Sequence, residues 1–508
     1  MHTCACIKTI SSMVSYDNPC QSLVCGSCKF DIELRVRIVD YTFKLPCRRL
    51  LLIPKLKVMT KKGKKQEPGS LSLAVINPNA AGIDVGAKLM SVAVPAGRDT
   101  VCVKEFGCFT CDLESIARWL KQCNIETVAM ECTGVYWKNL YMVLTAHGMD
   151  VCLANARHTR NVSGKKTDES DAQWIQRLHT CGLLSTSFLP EDTVTTLRSL
   201  TRHRRSLNQD STRYILRMKK ALEMMNIKFH GLIRDITGKT GTAIVESIIA
   251  GQRDPQMLLQ CVNYRVKASK EDLLKSFEGN WRQEQLFLLT QCYSMYKIYQ
   301  QQIQICDQQI ELALQLIAAT KNNGVIEDTP AVKAKQRKQP KFNTQVYLHK
   351  IHAVNVLAIY GISDIAGIEI LAETGTNLAK WPTQQHFVSW LNLCPNNKIS
   401  GGKLISSSVL KKNPNAATQA FKYAANGLQR SDHWLGDYFR RMKAKGGNKY
   451  AIVATARKLA IIYYKMVRYQ LAFTPFNNES YKSKFQRTQI AYLERKLAKL
   501  KQSTNPVI

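Results

Sequence analysis

Acidic residues are scarce in this 508-residue chain. Asp and Glu number 38 against 72 Lys and Arg, so the formal net charge is +34. The basic excess is spread along the chain rather than confined to a tail, and no single basic amphipathic helix stands out. This balance indicates a polyanionic partner and favours nucleic acid over a membrane surface, the alternative being a basic protein without such a partner.

Long apolar runs and nucleotide-binding glycine loops are also missing. No apolar run has the roughly 20 residues that a membrane-spanning helix needs, so we expect no membrane segment. The apolar fraction of 45% in a chain of this length is enough for two or three globular cores.

Paired cysteine motifs are rare although the chain has 17 cysteines. Most lie singly inside apolar segments, such as 101–103 and 151–153, and are predicted to be reduced core residues. Six crowd into the first 50 residues, where Cys25 and Cys28 form one Cys-x-x-Cys pair. A structural zinc site needs a second pair at regular spacing, so zinc is not expected.

The start of the chain lacks a helical or strand period. Residues 1–58 have no coherent pattern, and Met59 opens a basic leader, 59–78, directly before the first clear strand. We interpret Met59 as the true start and 1–58 as an over-extended reading frame, a non-native or disordered extension.

Residues 79–190 alternate short β-rich segments with helical ones, which predicts an α/β domain. One helix is predicted at 112–122 with Thr110 as its N-cap, a second at 136–147 ending at Gly148, and a third at about 168–179. The predicted strands are 81–85, 89–94, 101–106, 127–130 and 150–154.

The region 191–320 is predicted to be helical. Between Leu289 and Ile317 the apolar positions follow a 3-4 spacing, typical of a coiled coil. Its partner is either a second protomer or a helix of the same chain carrying Leu197, Leu200, Leu207 and Tyr214.

The last part of the chain divides into three segments. A basic linker, 321–344, precedes a mostly helical C-terminal domain, 345–475, and a basic helical tail, 476–508. Within the C-terminal domain, 394–403 is a turn-rich insert.

Four carboxylates are placed as a divalent-metal site requires. Asp84 lies inside a predicted strand, Glu131 at the end of another, and Asp168 and Asp171 three residues apart on a predicted helix face. Hard cations take oxygen ligands from several elements, and this arrangement is that of an RNase H-like nuclease core. Asp84 alone would also suit a turn or the phosphate loop of a sugar-kinase-like ATPase.

The segments Gly-Ile-Asp84-Val, Glu131-Cys-Thr-Gly-Val-Tyr136 and Lys166-Thr-Asp168-Glu-Ser-Asp171-Ala resemble DEDD transposases of the insertion-sequence-110 (IS110/IS1111) family, which includes Piv-type DNA invertases. The resemblance covers about 80–473. It implies a RuvC-like N-terminal domain, a helical coiled-coil middle, and a C-terminal transposase domain with a nucleophilic serine.

That serine maps to Ser400, because the family's Leu-x-Pro…Ser-Gly pattern falls on Leu393-Cys-Pro395…Ser400-Gly401. Ser406, Ser407 and Ser408 are candidates if the alignment is shifted. A preceding segment, 359–368, is similar to the family's helix-hairpin-helix but has Ser363 in place of the second glycine, which weakens the case for phosphate binding there.

The resemblance implies a bacterial, cytoplasmic, nucleoid-associated recombinase that moves its own insertion element. Its four carboxylates would bind Mg2+ or Mn2+, and Ser400 would attack a DNA phosphodiester to give a phosphoserine link. Its partners would be DNA, an element-encoded structured guide RNA, and further copies of itself in a dimer or tetramer.

Basic side chains near these motifs are the candidate nucleic-acid contacts. They lie in the loop before the acidic pair and around the Gly-Gly turn: Arg157, Arg160, Lys165, Lys166, Lys398, Lys403, Lys411 and Lys412. A further set on the first long helix is a candidate RNA surface: Arg202, Arg204, Arg205, Arg213, Arg217, Lys219 and Lys220.

Two other functions fit the same residues. A RuvC-like endonuclease or resolvase would cut by water and use Ser400 only structurally. In a non-catalytic nucleic-acid-binding protein the acids would only cap helices and pair with basic side chains. Clustering carboxylates without a cation is, however, energetically costly.

Overall fold

The computed structural model describes residues 74–131, 134–154, 170–321, 339–409, 415–475 and 478–504. The predicted extension 1–58 and most of the basic linker lie outside these ranges. So do seven of the predicted site residues: Asp168, Arg157, Arg160, Lys165, Lys166, Lys411 and Lys412. The domain boundaries stay predictions.

A five-stranded mixed sheet forms the first part of the described chain. Its strands are β1 Ala80–Val85, β2 Met90–Ala93, β3 Val103–Phe106, β4 Thr127–Glu131 and β5 Asp150–Ala154, in the order β3-β2-β1-β4-β5. The first three pair antiparallel, and β4 and β5 run parallel to β1. All five strands predicted from the sequence are present, with ends shifted by up to two residues.

Helices cover both faces of this sheet. On one face α1 (Thr110–Gln122) and α2 (Trp137–Ala146) pack their apolar sides against Ile83 and Met130. On the other face α3 (Asp171–Thr180) packs Ile175 against Ala129 and Cys152. The region is therefore a layered α/β structure, in which the central strands β1 and β4 alternate their side chains between two buried faces.

The starts of two helices differ from the prediction. Phe109, not Thr110, is the N-cap of α1, because the Asp112 carboxylate accepts the Phe109 backbone N–H at 3.0 Å. Helix α3 begins at Asp171 rather than near 168. Its N-cap is Ser170, whose hydroxyl accepts the Gln173 N–H while the Gln173 side chain accepts the Ser170 N–H.

Two long helices, α4 (Asp192–Met224) and α9 (Gln283–Ala319), form an antiparallel hairpin. The rings of Tyr214 and Tyr299 lie 5.4 Å apart, and Gln300 donates to the Ser211 hydroxyl at 3.0 Å. These contacts confirm the intramolecular partner for the predicted coiled-coil stripe.

Four short helices connect the two arms of the hairpin. They are α5 (Phe229–Leu232), α6 (Lys239–Ile249), α7 (Pro255–Gln260) and α8 (Lys270–Phe277). Together with the adjoining ends of α4 and α9 they form a separate apolar cluster around Phe229, Ile244 and Phe277.

The C-terminal part is mostly helical, as predicted. Its helices are α10 (Thr344–His352), α11 (Asp364–Thr374), α12 (Gln384–Trp390), α13 (Ala416–Gly427) and α14 (Trp434–Tyr469), with short 3-10 turns at Val356–Ala358 and Leu428–Arg430. Helix α14 is interrupted at Gly446 and Gly447, and α15 (Asn478–Thr504) follows. Phe387, Phe421 and Tyr463 are fully buried at the centre of this part.

The turn-rich insert is a β-hairpin that the sequence did not predict. Strands β6 (Asn396–Ser400) and β7 (Lys403–Ser408) are joined by Gly401 and Gly402. Both glycines have positive φ, +54° and +73°, as a two-residue hairpin turn requires. Nearly every residue of the two strands is exposed.

None of the helices in the described ranges is long and apolar enough to cross a membrane.

Acid is expected to destabilise the C-terminal part through His352, whose Nε2 lies 3.2 Å from the Tyr463 hydroxyl. Burial, with a smaller contribution from the charge of Lys321, lowers the pKa of His352 to about 4. The unfolded chain takes up this proton near pH 6.5, so acidification from about pH 6.5 to 4 favours unfolding, by on the order of 3 kcal/mol.

Urea unfolding measured across this pH range tests the expectation. His352→Gln keeps a hydrogen-bonding partner for Tyr463 but does not titrate, so its stability should fall less on acidification than that of the wild type. If the free energy of unfolding falls equally steeply with falling pH in the variant and the wild type, His352 is not the group responsible. Burial also lowers the pKa of His179, which accounts for part of any slope that remains in the variant.

Candidate functional site

Asp84 and Glu131 lie side by side on neighbouring parallel strands. The register pairs Ile83 of β1 with Met130 of β4, so Asp84 and Glu131 are the next residues along each strand. Ile83 and Met130 point into the core under α1 and α2, and alternation turns the two carboxylates to the opposite face. Both acids are half-buried.

Helix α3 packs on that same face of β1 at very close range. A Cβ atom on Gly82 would lie 2.2 Å from the Gln176 backbone N and 2.4 Å from the Ala172 carbonyl O. The Gln176 side chain also donates to the Ala80 carbonyl at 3.3 Å. Only glycine allows this contact, because any side chain at residue 82 would overlap the helix backbone.

These contacts set the direction of α3. The backbones of Ala172 and Gln176 both lie over Gly82, whereas the carbonyl of Thr180, the last residue of α3, accepts the Ile76 and Asn77 N–H groups just before β1. The N-terminal end of the helix therefore points along β1 towards Asp84. Asp171, the first residue of α3, is exposed at that end. Three of the four predicted carboxylate residues therefore lie on three elements near one edge of the sheet.

Carboxylate oxygens from several elements are the groups that a hard divalent cation prefers. In the ranges that the structure describes, however, no three His, Cys, Asp or Glu residues are grouped closely enough to hold a metal ion. The fourth predicted ligand, Asp168, is outside these ranges and precedes Asp171 by three residues in the sequence.

Ser400 lies at the tip of the β6–β7 hairpin, directly before the glycine turn. Its cross-strand partner is Lys403, and Lys398 is two residues earlier on the same strand, so both ammonium groups lie on the serine's side of the hairpin. A register shift between Lys398 and Ile399 places Ser406 opposite Lys398. Ser400 and Ser406 each lie opposite an exposed lysine, and Ser400 is the one at the turn.

The alternative serines on β7 differ from Ser400 in their surroundings. The Ser407 hydroxyl donates to the Asn397 side chain across the hairpin at 2.7 Å, whereas Ser400 is at the turn itself. Ser400 is therefore the serine of the hairpin that lies closest to the tip.

The segment that resembles a helix-hairpin-helix has one glycine that packing requires. Gly361 has a φ of +87°, and a Cβ there would lie 2.7 Å from the Ala424 carbonyl. Ser363, in the second glycine place, is the N-cap of α11 and accepts the Ala366 N–H. Its hydroxyl is thus used within the turn.

Three arginines of the predicted RNA surface on α4 are paired with carboxylates. Arg202 donates to Glu373 at 2.9 and 3.1 Å, Arg205 pairs with Glu369, and Arg204 pairs with Asp307. Glu373 is only 1% exposed and also pairs with Arg198. A buried carboxylate must be neutralised, so these cations hold α4 to α9 and α11.

Other members of that set are also engaged. Arg213 pairs with Asp210, and the Arg217 guanidinium lies 5.0 Å from the Tyr214 ring. The sequence could not show these roles for Arg202, Arg204 and Arg205, because their partners are 103 to 171 residues away. The Ser170 cap, by contrast, had a local signal, Ser-x-x-Gln.

Two family models match separate parts of the chain. One, for DEDD transposases of IS110, is described as Transposase and matches 81–227; the other, described as Transposase IS116/IS110/IS902 family, matches 353–440. The first segment contains Asp84, Glu131 and Asp171, and the second contains Ser400. No curated protein matches the chain. Both matches point to one family: the chain is an IS110-family transposase, an enzyme that acts on DNA.

Proposed function

We propose that this transposase breaks and rejoins DNA strands with a metal-binding carboxylate set and a serine nucleophile. The carboxylates are Asp84, Glu131, Asp168 and Asp171, and the nucleophile is Ser400. The observation that carries the proposal is the convergence of Asp84, Glu131 and the N-terminal end of α3 on one sheet edge.

The sheet supports an RNase H-like, RuvC-like assignment for this domain. Three antiparallel strands followed by two parallel ones place the central strand β1 next to β4, which brings Asp84 beside Glu131. That pairing is what a nuclease core of this type needs, because ligands on adjacent strands share one edge.

Mg2+ or Mn2+ is the cofactor that this ligand chemistry fits. Such a cation, when bound, neutralises charge on the scissile phosphate and lowers the pKa of the attacking hydroxyl. The role of the chain's own residues is to hold the carboxylates at fixed positions: Asp84 through the sheet register, and Asp171 through the packing of α3 on Gly82.

Ser400 would act as the nucleophile on the DNA. Its Oγ forms a bond to phosphorus, the phosphorus–oxygen bond to one DNA end breaks, and that end leaves as a free hydroxyl after taking a proton. Lys398 and Lys403 would hold the non-bridging phosphate oxygens, since both lie beside Ser400. Attack by another DNA hydroxyl on the phosphoserine would then restore the serine and join the strands.

A guide RNA encoded by the element is the second proposed nucleic-acid partner. Its contacts would be the basic residues before the acidic pair and after β7, namely Arg157, Arg160, Lys165, Lys166, Lys411 and Lys412. A dimer or tetramer is proposed because the serine and the carboxylates lie on different parts of the chain.

A reaction with end-labelled DNA from the element's termini, with and without Mg2+ and the flanking transcript, tests the proposal. On a denaturing protein gel we expect a labelled protein band that requires Mg2+. Free nicked DNA without a protein adduct would instead show a hydrolytic nuclease. Unchanged DNA, with binding that is indifferent to Mg2+, would show a non-catalytic binding protein.

A further inference from the structure

A basic cleft lies where the short helices connect the arms of the α4–α9 hairpin. It has a volume of about 890 Å³ and is lined by residues from the segments 231–240 and 263–267; we call it the tip cleft. Both segments lie outside the two parts of the chain that match the family models, which end at 227 and resume at 353. The tip cleft is therefore not part of the site described above.

Four exposed cations line the tip cleft: Arg234, Lys239, Arg265 and Lys267. Asp235 is the one acid among the described lining residues, and its Oδ1 already accepts from the Thr237 backbone N–H and hydroxyl at 2.9 and 2.8 Å. Such an excess of positive charge in a concave surface attracts a polyanion.

The start of α6 adds to this positive field. Gly238 is its N-cap and has no side chain to accept from the first-turn N–H groups, and no acidic residue lies in that turn. The positive end of the helix dipole thus faces the cleft, next to Lys239 and Thr240, where it favours a phosphate.

An aromatic ring lies among these charges. Tyr264 is 84% exposed. The Arg265 guanidinium lies 5.4 Å from its ring centroid, and Arg265 Nε donates to the Tyr264 hydroxyl at 3.0 Å. The backbone N–H of Asn263 donates to the Thr240 hydroxyl at 3.2 Å, which ties this loop to α6. Tyr264 therefore presents a largely exposed ring next to a guanidinium, on a loop that is tied to α6.

We propose that the tip cleft binds single-stranded nucleic acid. The cations and the α6 N-terminus hold backbone phosphates, and an unpaired base stacks on Tyr264. Stacking on a protein ring needs a base whose face is free, so a single strand fits this surface better than a duplex. The binding needs no divalent metal, because no carboxylate pair takes part in it.

Photocrosslinking in EDTA tests the position directly. The full-length protein is irradiated with 5-iodouracil-containing single-stranded RNA or DNA, then digested with trypsin. We expect a crosslink on the peptide 254–265, which contains Tyr264. A crosslink with the RNA probe alone or the DNA probe alone supports the proposal and shows which of the two nucleic acids binds. The absence of a crosslink with both probes overturns it.

Substitutions separate stacking from charge. Tyr264→Ala should weaken single-strand binding about tenfold and remove the crosslink, whereas Tyr264→Phe should keep both. The double variant Arg234→Ala/Lys267→Ala should bind with a weaker salt dependence. The slope of log affinity against log salt concentration should fall in magnitude by roughly 0.7 for each phosphate contact that is lost. Lys275→Ala, an exposed cation on α8 outside the cleft lining, is the control.

Two results would contradict the proposal: affinities and slopes in the cleft variants equal to those of Lys275→Ala, or duplex DNA bound at the tip as tightly as a single strand. The binding assay contains EDTA and measures no cleavage. The tip cleft can therefore prove inactive in binding while the proposed metal-dependent cleavage is confirmed, and cleavage can be absent while the cleft binds.

Discussion

Asp84→Asn is expected to lower the rate of DNA strand cleavage by about a thousandfold while leaving DNA binding intact. The substitution keeps the size of the side chain but removes one negative charge from the edge where Asp84 and Glu131 lie side by side. Loss of a charged metal ligand removes several kcal/mol of transition-state stabilisation, and about 4 kcal/mol corresponds to a thousandfold.

A matched acid on the same domain provides the control. Glu114, on α1, pairs with His147 on the opposite side of the sheet, so Glu114→Gln should cleave DNA at the wild-type rate. Glu131→Gln and Asp171→Asn should behave like Asp84→Asn. Cleavage by Asp84→Asn at the rate of Glu114→Gln would show that the carboxylate edge has no part in the chemistry.

Gly82→Ala is expected to lose both stability and activity although it adds one methyl group. The new Cβ would lie 2.2 Å from the Gln176 N and 2.4 Å from the Ala172 O, so α3 must move away from β1. Because Asp171 begins that helix, the same movement displaces a proposed ligand. We expect a loss of ~3 kcal/mol, at the upper end for overpacking, because the clash is with helix backbone.

Thermal unfolding and DNA cleavage measured on the same preparation test this. Gly427→Ala is the control, because its Cβ would meet no atom within 4 Å and its φ is not positive. It should be neutral in both assays. A stable, active Gly82→Ala protein would mean that α3 does not pack on β1 as described.

Four strands of the sheet were predictable because their buried residues leave an apolar pattern. The edge strand β3 has no fully buried residue, and its start was predicted two residues too early. The β6–β7 hairpin was not predictable, since its residues are nearly all exposed and Asn396-Asn-Lys-Ile-Ser has no apolar alternation. Its one local signal was Gly401-Gly402, which is typical of a two-residue hairpin turn.

The placement of the carboxylates was predictable in part. Asp84 and Glu131 follow apolar residues of two strands, but the sequence does not state that these strands are neighbours in register. The pairing of Arg204 with Asp307 was hidden for a similar reason: two residues 103 positions apart meet only once α4 and α9 have folded back on each other. Local patterns show which side chains an element presents, whereas long-range contacts decide which of them remain available.

The identity of the residue that becomes linked to DNA decides whether Ser400 is the nucleophile. After the Mg2+-dependent reaction, trypsin separates Ser400, on the peptide 399–403, from Ser406, Ser407 and Ser408, on the peptide 404–411. We expect DNA phosphate on 399–403, and no adduct in Ser400→Ala, whereas Ser407→Ala should still form one. An adduct on 404–411, or one that persists in Ser400→Ala, would contradict this expectation.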